Sequence, residues 1–244
     1  MRQTYHRATE GVTRRRGLYS WAAIALSAGA LALGLSVPCA ARSVTPSEPD
    51  LIDILTRYNA LIVRERAIVE SLRVEQTMIE PQDDGSTRTS EAVLVYTPAD
   101  GMERREVFSE ITHPAGDYTL DSLIGPELRP DEYDIRYAGR DSIAGEETYH
   151  LNVTATVRDR RHFDGDVWIS TDGFAPVRIT GKVADPPFPV VLITLDKSFE
   201  TGPEGLRLLR RHSGEVEVNL LLGTRCGLRH IFYDDYYVST RDVD

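Results

Sequence analysis

Tyr133-Asp134-Ile135-Arg136-Tyr137-Ala138-Gly139-Arg140-Asp141-Ser142-Ile143-Ala144-Gly145-Glu146-Glu147-Thr148-Tyr149-His150-Leu151-Asn152-Val153, then Asp166-Val167-Trp168-Ile169-Ser170-Thr171-Asp172-Gly173-Phe174-Ala175-Pro176-Val177-Arg178-Ile179, is the text that decides the fold. Each piece reads as two strands around a turn. Residues 133–139 and 147–155 flank Asp141–Gly145, and residues 166–170 and 176–183 meet at Asp172-Gly173, a turn-forming pair. Within these strands every second residue is apolar. Leu151 and Val153 oppose His150, Asn152 and Thr154. Val167 and Ile169 oppose Asp166, Trp168 and Ser170, and Val177 and Ile179 oppose Arg178 and Thr180. Successive strand side chains point to opposite faces, so one face of this sheet is apolar and the other is wet.

The same grammar extends outward. Residues 74–80, 90–97, 103–111, 190–199, 206–209, 216–222 and 228–238 read as further strands, with Val216 and Val218 opposing Glu215, Glu217 and Asn219. Residues 119–124 read as a short helix closed by Gly125-Pro126, and Pro-rich 185–189 reads as a loop. Upstream, Leu51, Ile52, Ile54, Leu55, Tyr58, Leu61, Ile62, Ile68, Val69 and Leu72 recur at helical spacing. Ser47 is the expected cap of that helix, Pro49 and Asp50 its first turn, and Arg64-Glu65-Arg66 a possible break. No strand–helix–strand crossover order appears. The expected fold is therefore mainly β: an antiparallel sheet with an N-terminal helix. Its apolar face must close on itself, take the helix as a lid or hold a ligand.

The first 41 residues read as an export signal. Arg2, Arg7, Arg14, Arg15 and Arg16 precede an uncharged stretch from Leu18 to Ala41, which ends in small residues before Arg42. Arg14-Arg15-Arg16 leaves a twin-arginine route open. Residues 18–41 also approach the length of a retained inner-membrane anchor. Residues 42–49 read as a linker, and residues 50–240 as a single domain. Removing residues 1–41 takes five Arg and one Glu from the 28 Lys+Arg and 38 Asp+Glu, leaving 23 and 37 and a net charge of −14. Such a chain repels phosphate backbones, so no nucleic-acid partner is expected.

Chemistry-bearing motifs are sparse. There is no Gly-rich phosphate loop, no Gly-x-Ser-x-Gly elbow and no His-Glu-x-x-His. His162, Asp164 and Asp166 stand close enough in sequence to suggest a hard-cation site for a metal enzyme or hydrolase, but a turn entering a strand explains them as well. Cys226 is the one cysteine left after export and reads as a small apolar residue near a strand end. No catalytic set, cofactor or metal is expected.

The quoted text resembles the LolA-like superfamily of periplasmic lipoprotein-sorting carriers and related stress-sensing regulators. The likeness lies in the Gly139-Arg140-Asp141 turn, the Ala144-Gly145 to Leu151 strand, Val167-Trp168-Ile169, and Gly173-Phe174-Ala175-Pro176-Val177-Arg178. The closing Phe232-Tyr233-Asp234-Asp235-Tyr236-Tyr237-Val238 is also similar. The resemblance implies a curved antiparallel half-barrel, with helices from the N-terminus and an internal loop covering the open apolar side. It implies a periplasmic, non-catalytic carrier that holds lipid or lipoprotein acyl chains. The residues expected to line such a face are Leu151, Val153, Val167, Ile169, Val177, Ile179, Val216 and Val218. A regulatory module that binds a membrane protein is the alternative.

Overall fold

A computed structural model describes residues 50–109, 119–220 and 223–241. The expected export signal at 1–41 and linker at 42–49 lie outside these residues.

Helix α1 spans Leu51–Ile68 and places Ile54, Leu55, Tyr58, Ile62 and Glu65 on one buried stripe. Its cap is Asp50 rather than the expected Ser47, the carboxylate accepting the Ile52 N–H at 2.9 Å. The helix does not break at 64–66. Glu65 turns inward, and Arg66 is held by Asp121, Glu127 and the Gly125 carbonyl, so the charged run sits on two faces of one continuous helix. Val69 and Leu72, which fit the helical spacing, instead open strand β1. The β-branched Val69 takes extended backbone at the helix end.

Ten strands follow: β1 Val69–Pro81, β2 Thr87–Thr97, β3 Gly101–Ser109, β4 Tyr133–Ile143, β5 Glu146–Ala155, β6 Phe163–Ser170, β7 Pro176–Val183, β8 Val190–Thr201, β9 Arg207–Leu220 and β10 Gly223–Thr240. Helix α2, Leu120–Ile124, lies between β3 and β4. All ten strands form one antiparallel sheet in the order β3-β2-β1-β10-β9-β8-β7-β6-β5-β4. Two meanders, β1–β3 and β4–β10, are thus zipped by the first strand pairing with the last. The sheet is open, with β3 and β4 at its edges. This is the expected curved antiparallel half-barrel. The two short segments at 206–209 and 216–222 prove to be one long strand, β9, carried across Gly214.

Curvature has a local cause. Gly165 and Gly181 face each other across β6 and β7 on the inner face. A Cβ on Gly165 would sit 2.0 Å from the Thr180 carbonyl oxygen, and one on Gly181 2.2 Å from that of Asp164. Only glycine lets two backbones approach this closely.

The apolar face carries one continuous core. Residues of α1 (Ile54, Leu55, Tyr58, Ile62) and of α2 (Leu120, Leu123, Ile124) join Leu151, Val167, Ile169 and Ile179 of the sheet in a single cluster. Tyr58 donates its hydroxyl to the Pro126 carbonyl at 2.8 Å. Asn59 bonds Leu128 through both its amide atoms, which fixes α1 against the segment after α2.

Candidate ligand-binding face

Pairing places one row of residues on the inner face, running through all ten strands. From β4 to β3 it reads Tyr137, Leu151, Val167, Ile179, Lys197, His212, Ile231, Met78, Ser90 and Ser109. From Lys197 and His212, steps of two along β8 and β9 bring Leu195, Ile193, Val216 and Val218 to the same face, with Ile193 opposite Val216.

Coverage of this face is uneven. Leu151, Val153, Val167, Ile169, Val177 and Ile179 are all buried in the core. Val216 and Val218 are only part-buried, as are Ile193 and Leu195. The eight residues expected to line the face therefore fall into two groups: six within the packed core and two on its part-open side. Glycine deepens that side. Gly227 lies opposite Val216, and nothing stands within 4 Å of where its Cβ would be. Phe188, in the Pro-rich loop before β8, is 95% exposed beside this end of the sheet.

Polar residues enter the inner face toward β1–β3. Gln76 is buried, donates to the Tyr233 hydroxyl at 3.3 Å and accepts from Arg104 at 3.2 Å. Arg229 pairs with Glu80. Glu65 is buried on α1, and burial pushes its carboxyl up to about 7 although the Arg207 N–H bonds to it. Its second oxygen has no hydrogen-bond partner.

His162, Asp164 and Asp166 do not converge. His162 Nδ1 meets Asp159 at 2.7 Å and Nε2 faces Glu132 at 3.4 Å. Asp164 accepts from the Ala155 N–H and pairs with Arg158. Asp166 belongs to a ladder on the wet face, where it bonds His150 at 2.8 Å and His150 stacks on Trp168 at 4.7 Å. Among the described residues no three His, Cys, Asp or Glu groups are arranged to hold a metal. Cys226 is exposed rather than buried. Desolvation, then Glu217 and Glu215, push its thiol up, away from the reactive thiolate.

Sequence reading passed over Lys197 and His212. The signal was present as parity. Ile193, Leu195 and Lys197 share a face, opposed by Thr194, Asp196 and Ser198, and His212 shares the parity of Val216 and Val218.

The sheet type and element order are those expected from the sequence. Solved structures similar to it include a LolA superfamily protein from Nitrosomonas europaea, 13% identical over 81% of this chain and 96% of that one, with a TM-score of 0.45. A DUF1329 family protein from Desulfovibrio piger is 16% identical over 75% of this chain and 92% of its own, with a TM-score of 0.42. A putative outer membrane lipoprotein-sorting protein domain from Vibrio parahaemolyticus is 10% identical over 75% and 93%, with a TM-score of 0.39. At these values the likeness carries no argument about ligand or partner. No family model and no curated protein matches the chain. Among the described residues no helix is long and apolar enough to cross a membrane.

Proposed function

We propose that the chain is an exported, periplasmic, non-catalytic carrier or sensor that holds lipid or lipoprotein acyl chains on the inner face of its half-barrel. The observation that carries this reading is the uneven cover. Ile193, Leu195, Val216 and Val218 form an apolar surface that the chain leaves part-exposed, while the same face at β5–β7 is filled. An acyl chain laid on that surface leaves water at about 0.8 kcal/mol per buried methylene. Leu151, Val153, Val167, Ile169, Val177 and Ile179 extend the surface when α1 lifts. Arg66 and Asn59 hold that helix down by side-chain bonds, and such bonds can be exchanged for water.

Paired substitutions test the division. Val216→Asp abolishes dodecanoate uptake with an unchanged thermal midpoint, whereas Ile179→Asp unfolds the protein. Retained uptake in a folded Val216→Asp variant contradicts the proposed surface. Capture of an envelope membrane protein by a chain that takes up no lipid favours the regulatory-module reading.

A further inference from the structure

The central row of the inner face is apolar or aromatic from Tyr137 to Met78 except at two adjacent places. Lys197 and His212 are direct cross-strand partners, flanked by the buried Ile179 on one side and Ile231 on the other. Among the described residues Lys197 makes no hydrogen bond and no ion pair. The adjacent carboxylate in sequence, Asp196, points to the wet face and is held by Arg178 and Arg211. Gly214, two residues from His212, keeps the adjacent place on β9 free of a side chain. A Cβ there would meet the Thr194 carbonyl oxygen at 2.3 Å and approach His212 Nε2 at 3.8 Å.

A part-buried ammonium with no partner among the described residues opposes folding, and the counter-charge of a bound ligand would answer it. The geometry points to Lys197 and His212 as the receptor for the oxyanion head of an amphiphile, a carboxylate or a phosphate monoester, whose apolar tail lies on Ile193, Leu195, Val216 and Val218. This deepens the lipid-binding reading and rests on it. Burial pushes the Lys197 ammonium down to about 8, with no carboxylate acting against the shift, and the group still carries its charge at pH 7. Burial, then the Lys197 charge, push His212 down to about 3, so its ring is neutral there and offers one N–H to an acceptor. A charge-assisted bond from lysine and a neutral bond from histidine suit a single oxyanion in an apolar setting.

The chain has only two lysines, Lys182 and Lys197, and this makes the test direct. Reductive ¹³C-methylation of the full chain gives each a separate NMR signal, and exposed Lys182 on the wet face serves as the control. Dodecanoate or dodecyl phosphate is expected to move the Lys197 signal and leave that of Lys182 in place. Lys197→Met is expected to weaken that binding about tenfold and to leave dodecanol binding unchanged. The tighter of the two charged probes names the head, carboxylate or phosphate, and either supports the site. Unchanged affinity for both charged probes in Lys197→Met overturns it while leaving the apolar surface standing. Failure of all three dodecyl probes to bind removes both. A Lys197 signal moved by inorganic phosphate, with no dodecyl probe bound, overturns the amphiphile in favour of a free anion.

Discussion

Glu65 couples the fold to pH through its burial. Its folded-state carboxyl is raised to about 7 from an ordinary 4.5. Below 4.5 it is protonated in both folded and unfolded chains and contributes no penalty. Between 4.5 and 7 the unfolded chain ionises first, so stability falls as pH rises, by up to about 3 kcal/mol. His212, held down to about 3, acts with the opposite sign below 6.5, so the Glu65 part is read as the difference between the parent and Glu65→Gln in denaturant unfolding at pH 5 and pH 7.5. An identical slope in the variant places the coupling elsewhere. Glu65 also shows what a linear reading misses. The Arg64-Glu65-Arg66 run looked like a solvated break because charged residues are rarely buried. What turns Glu65 inward is the Arg207 N–H on β9 and the anchoring of Arg66 to Asp121 and Glu127, all distant in sequence. Lys197 was hidden in a related way. One lysine in an apolar register looks like noise until the cross-strand partner, His212, is known.

At the scale of elements, the strands were legible and their limits were not. Strand β7 was readable to its ends because Pro176 begins it and Asp172-Gly173 turns the chain before it. Strand β9 looked like two pieces because Gly214 interrupts the alternation, yet its register with β8 holds from Ile193 to Asp196. The α1 boundary was obscured because Val69 and Leu72 satisfy helical and strand periodicity at once. The crease between β6 and β7 gives a sharp expectation. Gly181→Ala sets a Cβ where a carbonyl oxygen already lies 2.2 Å away. At a positive φ of 151° the change also strains the backbone. It is expected to cost roughly 2 kcal/mol or more, read as a lowered urea midpoint at unchanged m-value. A midpoint equal to the parent's means the strands do not approach so closely.

Across the whole molecule, the architecture follows from pairing the first strand with the last while leaving β3 and β4 as the two edges of the sheet. An open curved sheet has one concave apolar face, and a single 18-residue helix with a 5-residue companion covers only part of it. One-sided alternation made that face visible in the sequence. The division of the face into a filled half and a part-open half was not visible, because it depends on where α1 and α2 lie. The choice of lining residues from alternation alone therefore drew both groups together. Native mass spectrometry of the full chain, expressed with residues 1–41 in place and purified under native conditions, tests the binding claim most directly. Adducts of lipid mass that disappear on organic extraction are the expected result. A clean unliganded mass, with no uptake of added phospholipid or acylated peptide, contradicts the account.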